Sequence, residues 1–365
     1  MSRSIAALLK VAEPDRDINW LEESLQSAVK LEFATIPLYL AALWSITDPP
    51  DAPPQGSSWP DSTCYGAYAV LRGIAVEEML HFALVCNMLT TIECVPDIAG
   101  AVPSYPGLGL PGNVQPDLHV SLAGLTKPRV HDLFMRIEYP EYPVPHDPPP
   151  PPPPEGDYAT IGALYDAIAK AFQSIEPTIS GNKQLTAATF GNYGCISASA
   201  GGPETLPALN QMSDVLAAIE TIKEQGEGTS AGPDAPDYND ELAHYYKFGS
   251  VYHGAQYVQG ADGKWDYTGE PIPFPEVAPM QEVPKGGYQN LSPEVVQALL
   301  AFNVGFTSVV NGLQAAWKCG DNIVLNNAIG TMFDLGQLAA PLYEMTVPGT
   351  EETYGPTFEY RGSGS

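Results

Sequence analysis

Residues 71–92, LRGIAVEEMLHFALVCNMLTTI, decide the reading of this chain. Leu71, Ile74, Val85, Met88 and Ile92 recur at helical steps, which predicts a helix over 66–93 with one face turned to a core. The positions that should complete that face are Glu78 and His81, which lie three apart and so project from the same side. Burying an ionised carboxylate costs several kcal/mol unless a cation or a hydrogen-bond network compensates it. An inward ExxH pair therefore points to a ligand.

Working outward, Ile18, Leu21, Leu25, Val29, Ile36, Tyr39 and Leu43 mark the face of a second long helix over 18–46, and its one gap is filled by Glu32. A helix expected over 239–252 repeats the ExxH spacing with Glu241 and His244, in line with Phe248 and Val251. A helix over 206–227 offers Glu220, Glu224 and Glu227. Glu227 is favoured, because the next helix carries its candidates in its first turn and the matching level on an antiparallel neighbour is the last turn. The set is then Glu32, Glu78 with His81, Glu227, and Glu241 with His244. One Glu from each of two helices plus ExxH from the other two is the ligand pattern of dinuclear carboxylate bundles. Mixed imidazole and carboxylate donors suit iron, with manganese as the alternative.

The fold class expected is mainly α, a four-helix bundle with additional C-terminal helices over 293–318 and 322–345 and long Pro-rich insertions, read as a single domain over 1–361. Ser292 and Pro293 open the first C-terminal helix as cap and first helical residue. A further helix is expected over 158–175, and an Asp262-Gly263 turn should join Val258 to Trp265 in a short hairpin. From Val95 to Pro154 the pattern fails, so irregular loop and short strand are expected there. Pro148–Pro154 reads as a stiff polyproline spacer. Pro37 is expected to kink its helix beside the metal site.

Sixteen Lys+Arg against 43 Asp+Glu give a net charge of −27, a field that repels phosphate backbones and anionic lipid. Nucleic acid and membrane are not expected as partners. Five cysteines without a CxxC suggest neither a disulfide framework nor a thiolate zinc site, and they read as buried small hydrophobes. No secretion signal is legible at the start, so a cytoplasmic setting is expected. Gly362–Ser365 reads as an appended linker. His119, His131, His146 and His253 have no partner at ligand spacing and read as structural or surface.

The segments LEFATIPLYLAALWSI, VEEMLHFALVCNML, AIETIKEQGEG, HYYKF and GPTFEY resemble the ferritin-like family named for iminophenyl-pyruvate dimer synthase. That resemblance, with enzymes of the violacein and rebeccamycin type, runs from about residue 18 to 360. It implies a ferritin-like four-helix core, a metal site at Glu32, Glu78, His81, Glu227 and His244, and a role in natural-product-like metabolism. Ala243 departs from the Ser associated with its position. The activity expected is a dinuclear-iron oxidase or oxygenase working on a small amino-acid-derived substrate with dioxygen; homo-oligomerisation is left open. Imine coupling and iron binding without a reaction are the alternatives, and storage in a closed shell is disfavoured by the Pro-rich insertions. An enzyme needs a cavity lined by apolar and aromatic residues that opens onto Glu32 and His81, roughly 300 Å³ or more.

Overall fold

The computed structural model describes residues 3–47, 66–140, 160–187, 205–227, 233–235 and 241–362. The Pro148–Pro154 run, His146, Cys64 and Cys195 lie outside the described residues.

Two long helices form the centre. In α1 (Ile18–Trp44) the Asp17 carboxylate caps the N-terminus by accepting from the Trp20 N–H at 2.9 Å. Every residue from Leu31 to Leu43 of α1 is buried, as is every residue from Gly73 to Thr91 of α2 (Ala67–Thr91). A helix that is apolar nearly all round must be covered on all sides, and these two pack against each other along their length. On one side lie α3 (Ile161–Ile175), which packs on α1, α4 (Met212–Glu227), which packs on α3 and α2, and α5 (His244–His253), which packs on α2 and α4. On the other side the hairpin of α6 (Pro293–Cys319) and α7 (Asn322–Glu344) completes the cover. Its ties are polar as well as apolar: the Trp317 indole N–H donates to Asn87 Oδ1 at 3.1 Å, and the Tyr343 hydroxyl donates to the Ala41 carbonyl at 2.7 Å.

The turn between α6 and α7 is set by Gly320 at φ 69°, where an added Cβ would meet Lys183 Cα at 2.7 Å. Helix α6 is long and apolar enough to cross a membrane by length and composition, yet here it is paired with α7 and packed on α2. The mainly helical bundle with C-terminal helices follows the expectation from periodicity.

The differences lie at element ends and in the insertion. Helix α4 starts at Met212 rather than 206, because Leu206 is held in an antiparallel bridge with Ala187. Helix α5 starts at His244 rather than 239. The residues before it form a two-residue strand, with β1 (Asp234–Ala235) pairing antiparallel with β2 (Glu241–Leu242), and Ala243 is the extended cap at φ −61°, ψ 155°.

Between α2 and α3 the irregular segment folds as a hairpin, Gly107–Leu110 with Val114–Val120, followed by a helical stretch at 127–137. Thr126 caps that stretch, and its middle, Val130–Phe134, is π-helical. The Asp262-Gly263 hairpin pairs Val258 with Asp266 and Gln259 with Trp265. Cys319 is exposed, unlike the buried Cys86, because it ends α6 at the turn.

Candidate metal centre

Glu32 from α1, Glu78 and His81 from α2, and His244 from the first turn of α5 meet in the interior, joined by Glu138 from the end of the 127–137 stretch. All five are less than a tenth exposed. Helical geometry explains the α1 and α2 contributions, since both helices turn one polar stripe toward the space enclosed by α3, α4 and α5. They form two overlapping groups whose potential ligand atoms lie within 4.8 Å of one another: Glu32, Glu78 and His81, and Glu78, Glu138 and His244. Glu78 belongs to both.

The two histidines are arranged alike. His81 Nδ1 lies 3.7 Å from both Glu32 Oε2 and Glu78 Oε1, while its Nε2 lies 2.7 Å from Gln225 Oε1. His244 Nδ1 lies 2.9 Å from Glu78 Oε1 and 3.4 Å from Glu138 Oε2, while its Nε2 lies 2.7 Å from Glu77 Oε2. The rings stack with centroids 5.5 Å apart. Each imidazole thus uses one nitrogen to fix its orientation and turns the other toward carboxylates, the arrangement by which a neighbouring oxygen sets the tautomer of a metal-binding histidine.

The carboxylates are held as firmly. The Thr35 hydroxyl donates to Glu78 Oε2 at 2.7 Å, the Tyr165 hydroxyl to Glu32 Oε1, and the Tyr39 hydroxyl to Glu138 Oε1. Lys247, one turn along α5 from His244, donates to both Glu77 oxygens at 2.7 and 2.8 Å.

Charge decides what the cluster accepts. Burial, then the neighbouring Glu78 carboxylate, holds the Glu32 carboxyl well above the usual range. Burial alone would raise Glu77 and lower His244. The Lys247 ammonium and His244 instead hold Glu77 well below the usual range, and the surrounding carboxylates of Glu138, Glu77 and Glu78 hold His244 well above its own. Burial keeps His81 below the ordinary imidazole value, and it pushes the Tyr39 phenol well up.

Protons are therefore favoured at Glu32 and His244, one in each group, and they relieve the same repulsion that a cation would. His244 Nδ1 is buried and, despite its two close carboxylate neighbours, makes no aligned hydrogen bond. A buried imidazole nitrogen set between two carboxylates without an aligned hydrogen bond is what a cation of the carboxylate and imidazole type fits.

Sequence reasoning singled out Glu32, Glu78, His81 and His244, and these come together. Glu227 ends α4 and Glu241 lies in β2, and both side chains are outside the described residues. Glu241 precedes the cap of α5, so the helical i, i+3 argument that paired it with His244 does not apply. Glu220 is exposed and lies 3.6 Å from Lys223 on the surface of α4.

Sequence reasoning missed Glu138, Glu77 and Gln225. Glu138 is the lone acid in an apolar piece, Phe134–Tyr139, which is the signal that was available. Glu77 stands beside Glu78 in a helix with no exposed side, and a second buried acid there required a partner. Of the other histidines, His119 pairs with Glu282 and His131 with Asp132 near the surface, and His253 stacks on Tyr267.

A cleft reaches the cluster, lined by Glu32, Thr35, Glu78, His81 and Glu138 at its floor and by Leu31, Leu110, Ile137, Ile161 and Ile222 on its walls. It encloses at most about 500 Å³, its mouth included. Lys223 stands at the rim, 2.7 Å from Asp166. Pro37 is not at this site. It follows Glu32 by five residues, about 140° around the helix, and α1 runs through it unbroken.

A family model described as Ferritin-like matches residues 25–253. Among solved structures, a ferritin-like protein from Caulobacter vibrioides is similar over 94% of this chain and 99% of its own, at 20% identity and a TM-score of 0.55. That likeness concerns the fold. No curated protein matches this chain.

Proposed function

The chain belongs to the ferritin-like family, and from that premise we propose that it is a dinuclear non-heme iron oxidoreductase acting with dioxygen on a small amino-acid-derived or natural-product-like substrate. The observation that carries this reading is the sharing of Glu78 between two donor groups, each with its own histidine and its own second carboxylate. Glu32, Glu78 and His81 would hold one ion, and Glu78, Glu138 and His244 the other, with Glu227 and Glu241 as proposed further ligands. Bound iron would supply the one-electron and dioxygen chemistry that no side chain here offers.

The chain's own residues set the stage for that chemistry. Thr35 holds one oxygen of Glu78 and leaves the other facing both histidines. Tyr165 holds one oxygen of Glu32 and leaves the other facing His81, and Tyr39 holds one oxygen of Glu138 and leaves the other facing His244. Glu77, kept ionised by Lys247, accepts from the His244 Nε2–H and so keeps Nδ1 aimed at the carboxylates. Apolar walls above the polar floor of the cleft suit a substrate with an apolar body. The same reading includes a cytoplasmic setting.

Iron analysis after anaerobic reconstitution tests the proposal, with about two ions per chain expected. The reduced protein should consume oxygen faster when aromatic 2-oxo or 2-imino acids are added. Oxygen uptake indifferent to every organic acid supplied would leave iron binding without a substrate reaction. Glu227→Gln should lower iron content more than Glu220→Gln, and the reverse ranking would remove Glu227 from the proposed ligands.

A further inference from the structure

Helices α1 and α2 have a second cavity at their backs, between them and the α6/α7 hairpin, a space of at most about 610 Å³ with the solvent at its open rim included. Every residue lining it is apolar. Phe33, Phe82, Phe306 and Trp317 supply aromatic surface, and Met79 and Met332 supply flexible, polarisable wall. The one polar atom among those rings, the Trp317 indole N–H, is turned away to Asn87 Oδ1. Protein interiors pack to the density of organic crystals, with few voids larger than a water molecule. Water gains nothing in a space without donors or acceptors, and such cavities stay dry and take up apolar molecules. Leu313 and Met332 are only partly buried, which gives the space a rim toward solvent.

We propose that this cavity is a binding site for an uncharged, wholly apolar small molecule, of the class of two-ring arenes and terpene hydrocarbons. No lining group could pair with a charged head, and the net charge of −27 opposes an anion waiting at the rim. The site is separate from the metal cluster, although the two share helices. Phe33, Met79 and Phe82 each follow a cluster residue by one position, so the cavity and the cluster lie on different faces of the same two helices. The inference does not depend on the metal chemistry.

Titration of the full chain with the uncharged dye N-phenyl-1-naphthylamine tests the site. A saturable fluorescence rise with one dye per chain is expected, displaced by naphthalene at least tenfold more effectively than by 1-naphthoate. Ala83→Phe, which pushes a ring into the cavity from α2, should weaken dye binding tenfold or more, whereas Met332→Ala should leave it equal or tighter. If Ala83→Phe loses its helical circular dichroism, Leu335→Phe intrudes from the opposite wall and carries the same expectation. The proposal is overturned if no saturable one-site binding occurs or if the filling variant that folds binds dye as the wild type does. Displacement by naphthoate as effective as by naphthalene would also overturn it, by placing the dye in the cleft beside Lys223.

Discussion

Helices α1 and α2 carry two opposed environments one residue apart. Glu32, Glu78 and His81 face a cluster of buried charge, and Phe33, Met79 and Phe82 face an apolar cavity, separated by about 100° of helix rotation per residue. Both faces are buried to a similar degree, so burial alone does not tell them apart. What differs is the partner. On the polar face every carboxylate has a hydroxyl or ammonium donor and a histidine opposite, while on the apolar face rings meet rings, as with Phe33 and Phe82 at 5.3 Å. The polar face is arranged to hold charge at a cost in stability. The apolar face supplies stability and leaves room.

The sharpest way to break this contrast is Glu78→Ala, which removes the carboxylate common to both groups. Bound metal should fall from about two ions per chain to well below one, with helical circular dichroism largely intact. Metal retained at wild-type stoichiometry would remove Glu78 from the centre of the site.

Lys247→Met tests whether the polar face depends on its supporting charges. Glu77 is fully buried and Lys247 is its cationic partner at 2.7 Å. Removing that ammonium, which leaves only His244 beside the carboxylate, should cost about 3 kcal/mol in urea unfolding of the metal-free protein. The double variant Glu77→Gln with Lys247→Met should recover most of the loss, since an uncharged pair carries no such penalty. A double variant as unstable as the single one would show that Lys247 acts through packing instead.

Phe82→Ala makes the complementary test on the apolar face. Its ring packs on Phe33 and Trp317, and truncation should cost about 3 kcal/mol, the lower end for buried aromatics, because the residue already borders a cavity. Metal stoichiometry should stay unchanged. Glu78→Ala and Phe82→Ala should therefore separate metal content from stability in opposite directions, and loss of metal in Phe82→Ala would mean that the two faces are not independent.

The difference between the faces also sets how much the sequence could reveal. Glu32, Glu78 and His81 are legible because each interrupts an apolar stripe on a long regular helix, where the 3.6-residue period makes an exception visible. His244 was found by the same spacing, yet its helix starts at that very residue and Glu241 sits in a strand. Glu138 had no period to interrupt. It follows a π-helical turn in a segment without regular pattern, and tertiary packing alone brings it to the cluster. Gln225 is uncharged and so gave no electrostatic signal, although it orients His81. Pro37 is near the metal ligands in sequence alone, and the helical angle places it on the apolar face.

The smallest expected effect concerns the residue that starts α5. Ala243 is the N-cap and offers no side-chain hydrogen bond to the N–H groups of the first turn. Its carbonyl accepts from Tyr246 N–H at 3.0 Å and Lys247 N–H at 3.1 Å, so the cap is held by backbone alone. Ala243→Ser adds a hydroxyl that can accept from the first-turn N–H groups and should stabilise the protein by about 1 kcal/mol. The gain should appear equally in the metal-free protein and in the metal-free Glu78→Ala variant, because capping acts on the helix end and not on the charge cluster. His244 is the first residue of that helix, so a firmer cap should also narrow its range of positions and tighten metal binding by a few-fold at most. A stabilisation that vanished in Glu78→Ala would mean that the added hydroxyl had joined the carboxylate network, and the boundary between the capped helix end and the polar face would have to be redrawn.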